Sequence, residues 1–170
     1  KNYSQHLKVN KENDEEHGIP FSDEELKLLW CNKNDPTIEF ILIMCYSGFR
    51  IMAYKTMEVN VKDKYFHGGV KTAYSKNRYV PIHSGILEIV EKRLKRYGRI
   101  LPETDQAVRK NMTNVLNNLG IKRHTPHDCR HTFSRLCEKY RVSENDRKRM
   151  MGHAFQNDIT NSVYGHRSIE

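Results

Sequence analysis

A chain of 170 residues fits one domain, large enough to bury about 70% of its unfolded surface. Hydrophobic residues make up 37% and the mean hydropathy is −0.80, and no apolar run approaches the roughly 18 residues of a spanning helix; no membrane partner is expected. The net charge of +8 and pI of about 9.3 favour a polyanionic partner, nucleic acid first among them.

Residues 1–18 are polar and charged without hydrophobic periodicity and read as a linker, with residues 19–170 as the domain proper. The first residue is Lys rather than Met, which reads as a piece of a longer chain, and nothing there resembles a signal sequence, so a cytoplasmic location is expected. Ser22 and Glu25 form a capping-box pair, with Phe21 and Leu26 placed as a hydrophobic staple, for a helix running to about Trp30. Asp35-Pro36 starts a second helix, whose run Phe40 to Cys45 is apolar nearly all round and therefore central in the core, with Gly48 as its stop.

From Met57 to Ile82 the period changes. Val59 and Val61, then Tyr65, Phe66 and Val70, then Tyr79, Val80 and Ile82 predict three short antiparallel strands, with Ser75-Lys76-Asn77 as the tip between the last two. Helical spacing resumes at Ile86, capped by Ser84 and stopped at Gly98, with Lys92, Arg93, Lys95 and Arg96 on the far face. Val108 to Leu119 forms an amphipathic helix ending at Gly120. A further helix opens at Pro126, reaches about Lys139 and buries Phe133, Leu136 and Cys137. Ser143 caps the next, which ends at Gly152, and a last short helix carries Val163 and Tyr164. The fold class is thus α+β: mostly α-helical, with one small three-stranded antiparallel sheet.

The cysteines Cys31, Cys45, Cys129 and Cys137 show no C-x-x-C spacing and read as reduced structural thiols. His127, Cys129 and His131 lie close in sequence. Residues two apart point to different sides of a helix, so a shared metal ion is poorly served there, and no metal and no cofactor is expected.

Chemistry concentrates between Thr125 and Tyr164. In Thr125-Pro126-His127-Asp128-Cys129-Arg130-His131, His127 and Arg130 share a helix face. An imidazole beside a guanidinium fork suits an anion that must also exchange a proton, and phosphate is the usual one. Met151-Gly152-His153 and Tyr164 follow. Upstream stand Ser47-Gly48-Phe49-Arg50, with Arg50 after a glycine turn at the end of a buried helix, then Gly69-Val70-Lys71-Thr72 in a hairpin and Arg78-Tyr79-Val80-Pro81. Arginine keeps its charge and offers a matched fork of donors, so Arg50 and Arg130 suit the two non-bridging oxygens of a phosphodiester.

Arg50, Lys71, His127-x-x-Arg130, Gly152-His153 and Tyr164, in this order, resemble the catalytic domain of the tyrosine recombinases, the phage-integrase family, over roughly Pro20 to the C-terminus. The resemblance implies site-specific DNA recombination by strand cleavage and rejoining through a 3′-phosphotyrosyl intermediate, without ATP or a metal. It implies Tyr164 as nucleophile, Lys71 as general acid for the departing 5′-oxygen with Lys76 as its rival, and His127 assisting proton transfer at the tyrosine. His153 would donate to a phosphate oxygen, while Lys76 and Arg78 resemble hairpin-tip residues that touch the DNA backbone. Implied partners are double-stranded DNA target sites, other recombinase protomers in a tetramer on DNA, and accessory DNA-bending proteins. An N-terminal DNA-clamping domain would precede the linker.

Two positions depart from the family pattern. The family's acidic residue three positions after the first arginine is replaced by Ala53, which leaves open a pocket with weakened support, a substitute carboxylate such as Glu58, or a shifted helix. The spacing from His153 to Tyr164 is slightly long, with Asn157-Asp158 available to absorb it. A non-catalytic DNA-binding module of the same fold, a type IB topoisomerase and a metal-dependent nuclease stand as alternatives, the last disfavoured by the lack of clustered carboxylates.

Overall fold

A computed structural model describes residues 18–73 and 75–153. Its first helix, α1 (Asp23–Cys31), starts at Ser22, whose hydroxyl accepts from the Glu25 amide while the Glu25 carboxylate accepts from the Ser22 amide. Phe21 and Leu26 are both buried. Helix α2 (Pro36–Cys45) is capped by Asp35, which accepts from the amides of Thr37 and Ile38. Every α2 residue from Ile38 to Cys45 is buried, and the helix packs against α1 and against α3 (Ser84–Tyr97), α4 (Asp105–Asn118) and α5 (Pro126–Lys139). A helix with no polar face can only be an axle, since any exposed side would return apolar surface to water at about 25 cal/mol per Å².

The regular part of α2 ends at Cys45 with Tyr46 as C-cap, and Gly48 stands just beyond it at a φ of +68°, its amide donating to the Met44 carbonyl at 3.2 Å, while the Ser47 hydroxyl donates to the Ile43 carbonyl at 2.6 Å. The chain then makes a short 3₁₀ turn, Ile51–Lys55, that the sequence did not announce. The sheet follows in the order β1 (Glu58–Asn60), β2 (Tyr65–Gly68), β3 (Arg78–Pro81), both pairings antiparallel, with Phe66 between Val59 and Val80. Val61 and Val70 lie outside the strands.

Helix α3 is capped by His83 rather than Ser84; its Nδ1 accepts from the Gly85 amide. The larger correction is Arg93. Expected on the solvent face of α3, it is fully buried, donating to the carbonyls of Ile100 (2.6 Å) and Pro36 (2.8 Å), with the carboxylates of Glu103 and Glu39 facing its terminal nitrogens. Helix α5 spans Pro126–Lys139 and α6 spans Glu144–Met151, capped by Ser143 and stopped at Gly152 in the left-handed region. The architecture is α+β, six helices and one three-stranded sheet among the described residues. The segment containing Val163 and Tyr164 lies outside them.

Candidate active site

Helix α5 is held at its first turn by an arrangement local in sequence and completed by distant groups. The Asp128 carboxylate accepts from the Thr125 amide at 2.8 Å, and the Thr125 hydroxyl accepts from the Asp128 amide, giving a reciprocal cap. The other Asp128 oxygen accepts from the Ile19 amide at 3.1 Å. His124, stacked on Phe21 at 3.9 Å, lies between Asp128 (3.5 Å) and Glu25 (3.3 Å). Burial opposes charge on its imidazole, but the two carboxylates outweigh it and raise the pKa above the ordinary value. The turn presenting His127 and Arg130 is therefore fixed to α1 as well as to its own helix.

Arg130, one turn on, is 3% exposed. Its Nη1 donates to the Gly48 carbonyl and its Nη2 to the Met151 carbonyl, each at 2.5 Å. One guanidinium thus joins the turn that carries Arg50 to the end of the helix that carries His153. Arg50 caps the 3₁₀ turn with its side chain half-buried. His153 keeps an exposed face, yet partial burial and the positive field of Arg130, Arg50, Arg147 and Arg78 push its imidazole down to about 4. Four cations focused on one neutral histidine describe a place prepared for an anion: negative charge there would be stabilised by all of them, and the imidazole can donate without being charged.

Arg78 belongs to the same cluster, which its expected place at the hairpin tip did not foresee. It begins β3 and is 8% exposed, with its guanidinium carbon 4.1 Å from the centre of the Phe49 ring. Burial and the charges of Arg130 and Arg50 pull its pKa down to about 9. The signal was present in the sequence: β3 alternates buried and exposed, so the register that buries Val80 also buries Arg78. Arg147, on α6, was likewise missed; it donates to the Ser134 hydroxyl at 2.7 Å and pairs with Glu138.

The remaining expected residues fall as follows. Lys71 and Lys76 are exposed in the loop joining β2 to β3, and Lys71 holds a φ of +87°, a strained value for a side-chain-bearing residue. His127 is half-buried, its ring edge-on to His131 with centroids 4.7 Å apart. Tyr164 lies outside the described residues. Ala53 is fully buried, and Glu58 does not replace the absent acid; its carboxylate pairs with His67 across the β1–β2 ladder at 3.1 Å. Cys45, Cys129 and Cys137 are buried free thiols, and Cys31 is exposed. Among the described residues no cluster of three or more His, Cys, Asp or Glu could hold a metal ion, and no helix is long and apolar enough to cross a membrane.

Similarity to solved structures identifies the fold. The chain superposes on XerA recombinase with a TM-score of 0.67 at 18% identity, covering 88% of this chain and 61% of that one. The Tn1549 transposon integrase, solved in complex with circular intermediate DNA, gives 0.67 at 15% identity, covering 90% and 62%. XerH site-specific recombinase, solved bound to its difH substrate before cleavage, gives 0.60 at 18% identity, covering 87% and 50%. The fold is that of a tyrosine recombinase catalytic domain. The chain spans about three fifths of the length of the first two recombinases and half of the third. No family model matches it, and no curated protein is similar to it in sequence.

Proposed function

We propose that this chain is the catalytic domain of a tyrosine-type site-specific DNA recombinase of the phage or mobile-element integrase kind. The observation that carries the reading is the arginine cluster around His153, set at the meeting point of α5, α6 and the turn after α2. In this reading Arg50 and Arg130 neutralise the non-bridging oxygens of a DNA phosphodiester, and neutral His153 donates to one of them. The Tyr164 oxygen attacks phosphorus while His127 assists removal of its proton. The bond from phosphorus to the 5′-oxygen breaks, and Lys71 gives that oxygen its proton. A 5′-hydroxyl of a partner strand reverses the step, so the bond energy is kept in the phosphotyrosyl ester and no ATP is consumed. Lys76, exposed at the loop tip, contacts DNA backbone. Double-stranded target sites, further protomers on the DNA and accessory DNA-bending proteins are the partners this chemistry calls for.

The test is a covalent adduct resistant to denaturant. The full chain is incubated with a pool of nicked duplexes of randomised sequence, so that the fragment beyond the cut diffuses away and traps the ester. An adduct that persists in EDTA and is lost in Tyr164→Phe, with non-covalent DNA binding retained, is the expected result. No adduct from any duplex, or an adduct from Tyr164→Phe, overturns the reading.

A further inference from the structure

Arg78 sits where two segments meet that have no covalent reason to stay in register. Its Nε donates to the Met150 carbonyl at 2.7 Å, in the last turn of α6. Its Nη1 donates to the Ser75 carbonyl at 2.6 Å and the Ser75 hydroxyl at 2.7 Å, in the loop that carries Lys71. Ser75 is itself buried, and its amide returns to the Thr72 carbonyl at 3.0 Å, next to Lys71. Two glycines flank the same nitrogen. A Cβ on Gly69 would stand 2.8 Å from Arg78 Nη1, and one on Gly152 would stand 2.9 Å from it. The root of the lysine loop and the residue before His153 therefore close on one guanidinium, and both need the absence of a side chain to do so.

A guanidinium buried beside two others is a costly choice for a structural tie, since desolvation and like charge both oppose it. A neutral donor could link the same carbonyls without that opposition. What the guanidinium adds is a rigid fork, still charged at neutral pH, that reaches three acceptors at once, so the loop cannot slide relative to α6 without breaking its bonds to Ser75 or to Met150. The strained φ of Lys71 is the kind of conformation that persists only when its surroundings over-determine it.

We infer that Arg78 is a positioning residue: it clamps the β2–β3 loop to the end of α6 so that Lys71 is held at the leaving 5′-oxygen of a phosphodiester seated by Arg50, Arg130 and His153. The inference rests on the function proposed above. It replaces the direct DNA-backbone contact expected for this residue with action through Lys71.

The test uses the duplex recovered as an adduct from the randomised pool, made with oxygen or with sulfur at the bridging 5′-position. A sulfur leaves as thiolate and needs no proton, so a defect confined to proton delivery disappears on the sulfur substrate. Lys71→Ala should be slower by about 10²- to 10⁴-fold on oxygen and near wild type on sulfur. Arg78→Met should follow the same pattern with a smaller loss of about 10- to 100-fold, the size of a misplaced rather than absent group. Ser75→Ala, which removes one of the three acceptors and cannot unseat the core, should show a weaker loss of the same kind. Combined with Lys71→Ala, Arg78→Met should add nothing on oxygen. If Lys71→Ala is rescued by sulfur but Arg78→Met is slow on both substrates, Arg78 serves binding or folding and the inference is overturned. Slow cleavage by Lys71→Ala on both substrates removes the acid role of Lys71 and this assignment with it, and absence of any wild-type adduct overturns the proposed function itself.

Discussion

His153 shows what the arginine cluster does to a single group. With its imidazole held near 4, it is neutral at pH 7 and donates through one ring N–H only. Negative charge brought into the cluster should cancel part of the field of Arg130, Arg50, Arg147 and Arg78 and let the pKa rise. Titration of the His153 ring protons by NMR should give a midpoint well below the ordinary 6.5 in the free protein, moving upward when inorganic phosphate or vanadate is added. A midpoint near 6.5 in the free protein would mean that the guanidinium field is not focused there.

At the scale of elements, the start of α5 is tied to α1 by charges whose protonation sets a pH window. His124 has a pKa raised above 6.5, so its contribution is fully present below 6.5 and is lost as pH rises through the folded-state value. Burial raises the Asp128 carboxyl, but its hydrogen bonds from His124, Thr125 and Ile19 prevail, so its pKa lies below 3.8. Its contribution is present above 3.8 and lost as pH falls through the folded-state value. Both charges coexist between these limits, and urea denaturation should find the pair's contribution greatest there. His124→Gln should flatten the alkaline side of the profile and also weaken the acid side, because the His124 hydrogen bond is the largest of the effects that hold the Asp128 carboxyl down. Asp128→Ala leaves the Thr125 cap but removes the acceptor of the Thr125 and Ile19 amides and should cost about 1–2 kcal/mol from that loss alone, while a cost that is the same at every pH would contradict the charged pairing.

Across the whole molecule, the charged groups divide into those that hold the fold and those left for a partner. Arg93 belongs to the first group: it joins α2, α3 and the segment leading to α4, and Glu39, fully buried, faces Lys92 and Arg96 as well. Arg93→Met strips the Ile100 and Pro36 carbonyls of their donor and Glu103 of its cation, while Glu39 keeps Lys92 and Arg96, and should cost about 3 kcal/mol. Lys95→Ala, on the exposed side of the same helix, should stay within about 0.5 kcal/mol. Equal costs in denaturant would remove the distinction. The chain as a whole carries a net charge of +8, so binding to duplex DNA should weaken steeply with salt, by about 0.9 in log–log slope per phosphate contacted. A slope near zero would argue against a nucleic-acid partner.

Local signals carried most of the element boundaries. Ser22 with Glu25, Asp35 with Pro36, Thr125 with Pro126 and Gly152 act within one turn of chain, so each states a helix end without reference to anything distant. The apolar run of α2 states its own burial for the same reason. The ordered set Arg50, Lys71, His127, Arg130, His153 and Tyr164 was drawn from a resemblance in motif order, which does not depend on the folded contacts. Arg93 and Arg78 were misplaced because a charged residue reads as exposed until its partners are known. For Arg93 those partners are Glu39, Glu103 and two carbonyls; for Arg78 they are Ser75 and Met150, the latter 72 residues away. The sequence by itself therefore determined the six helices and the sheet among the described residues, and it named the candidate residues only through a resemblance in motif order. Which arginines would be buried together around His153 was decided only by the tertiary structure, since burying a charge depends on acceptors and fields that come from other parts of the chain.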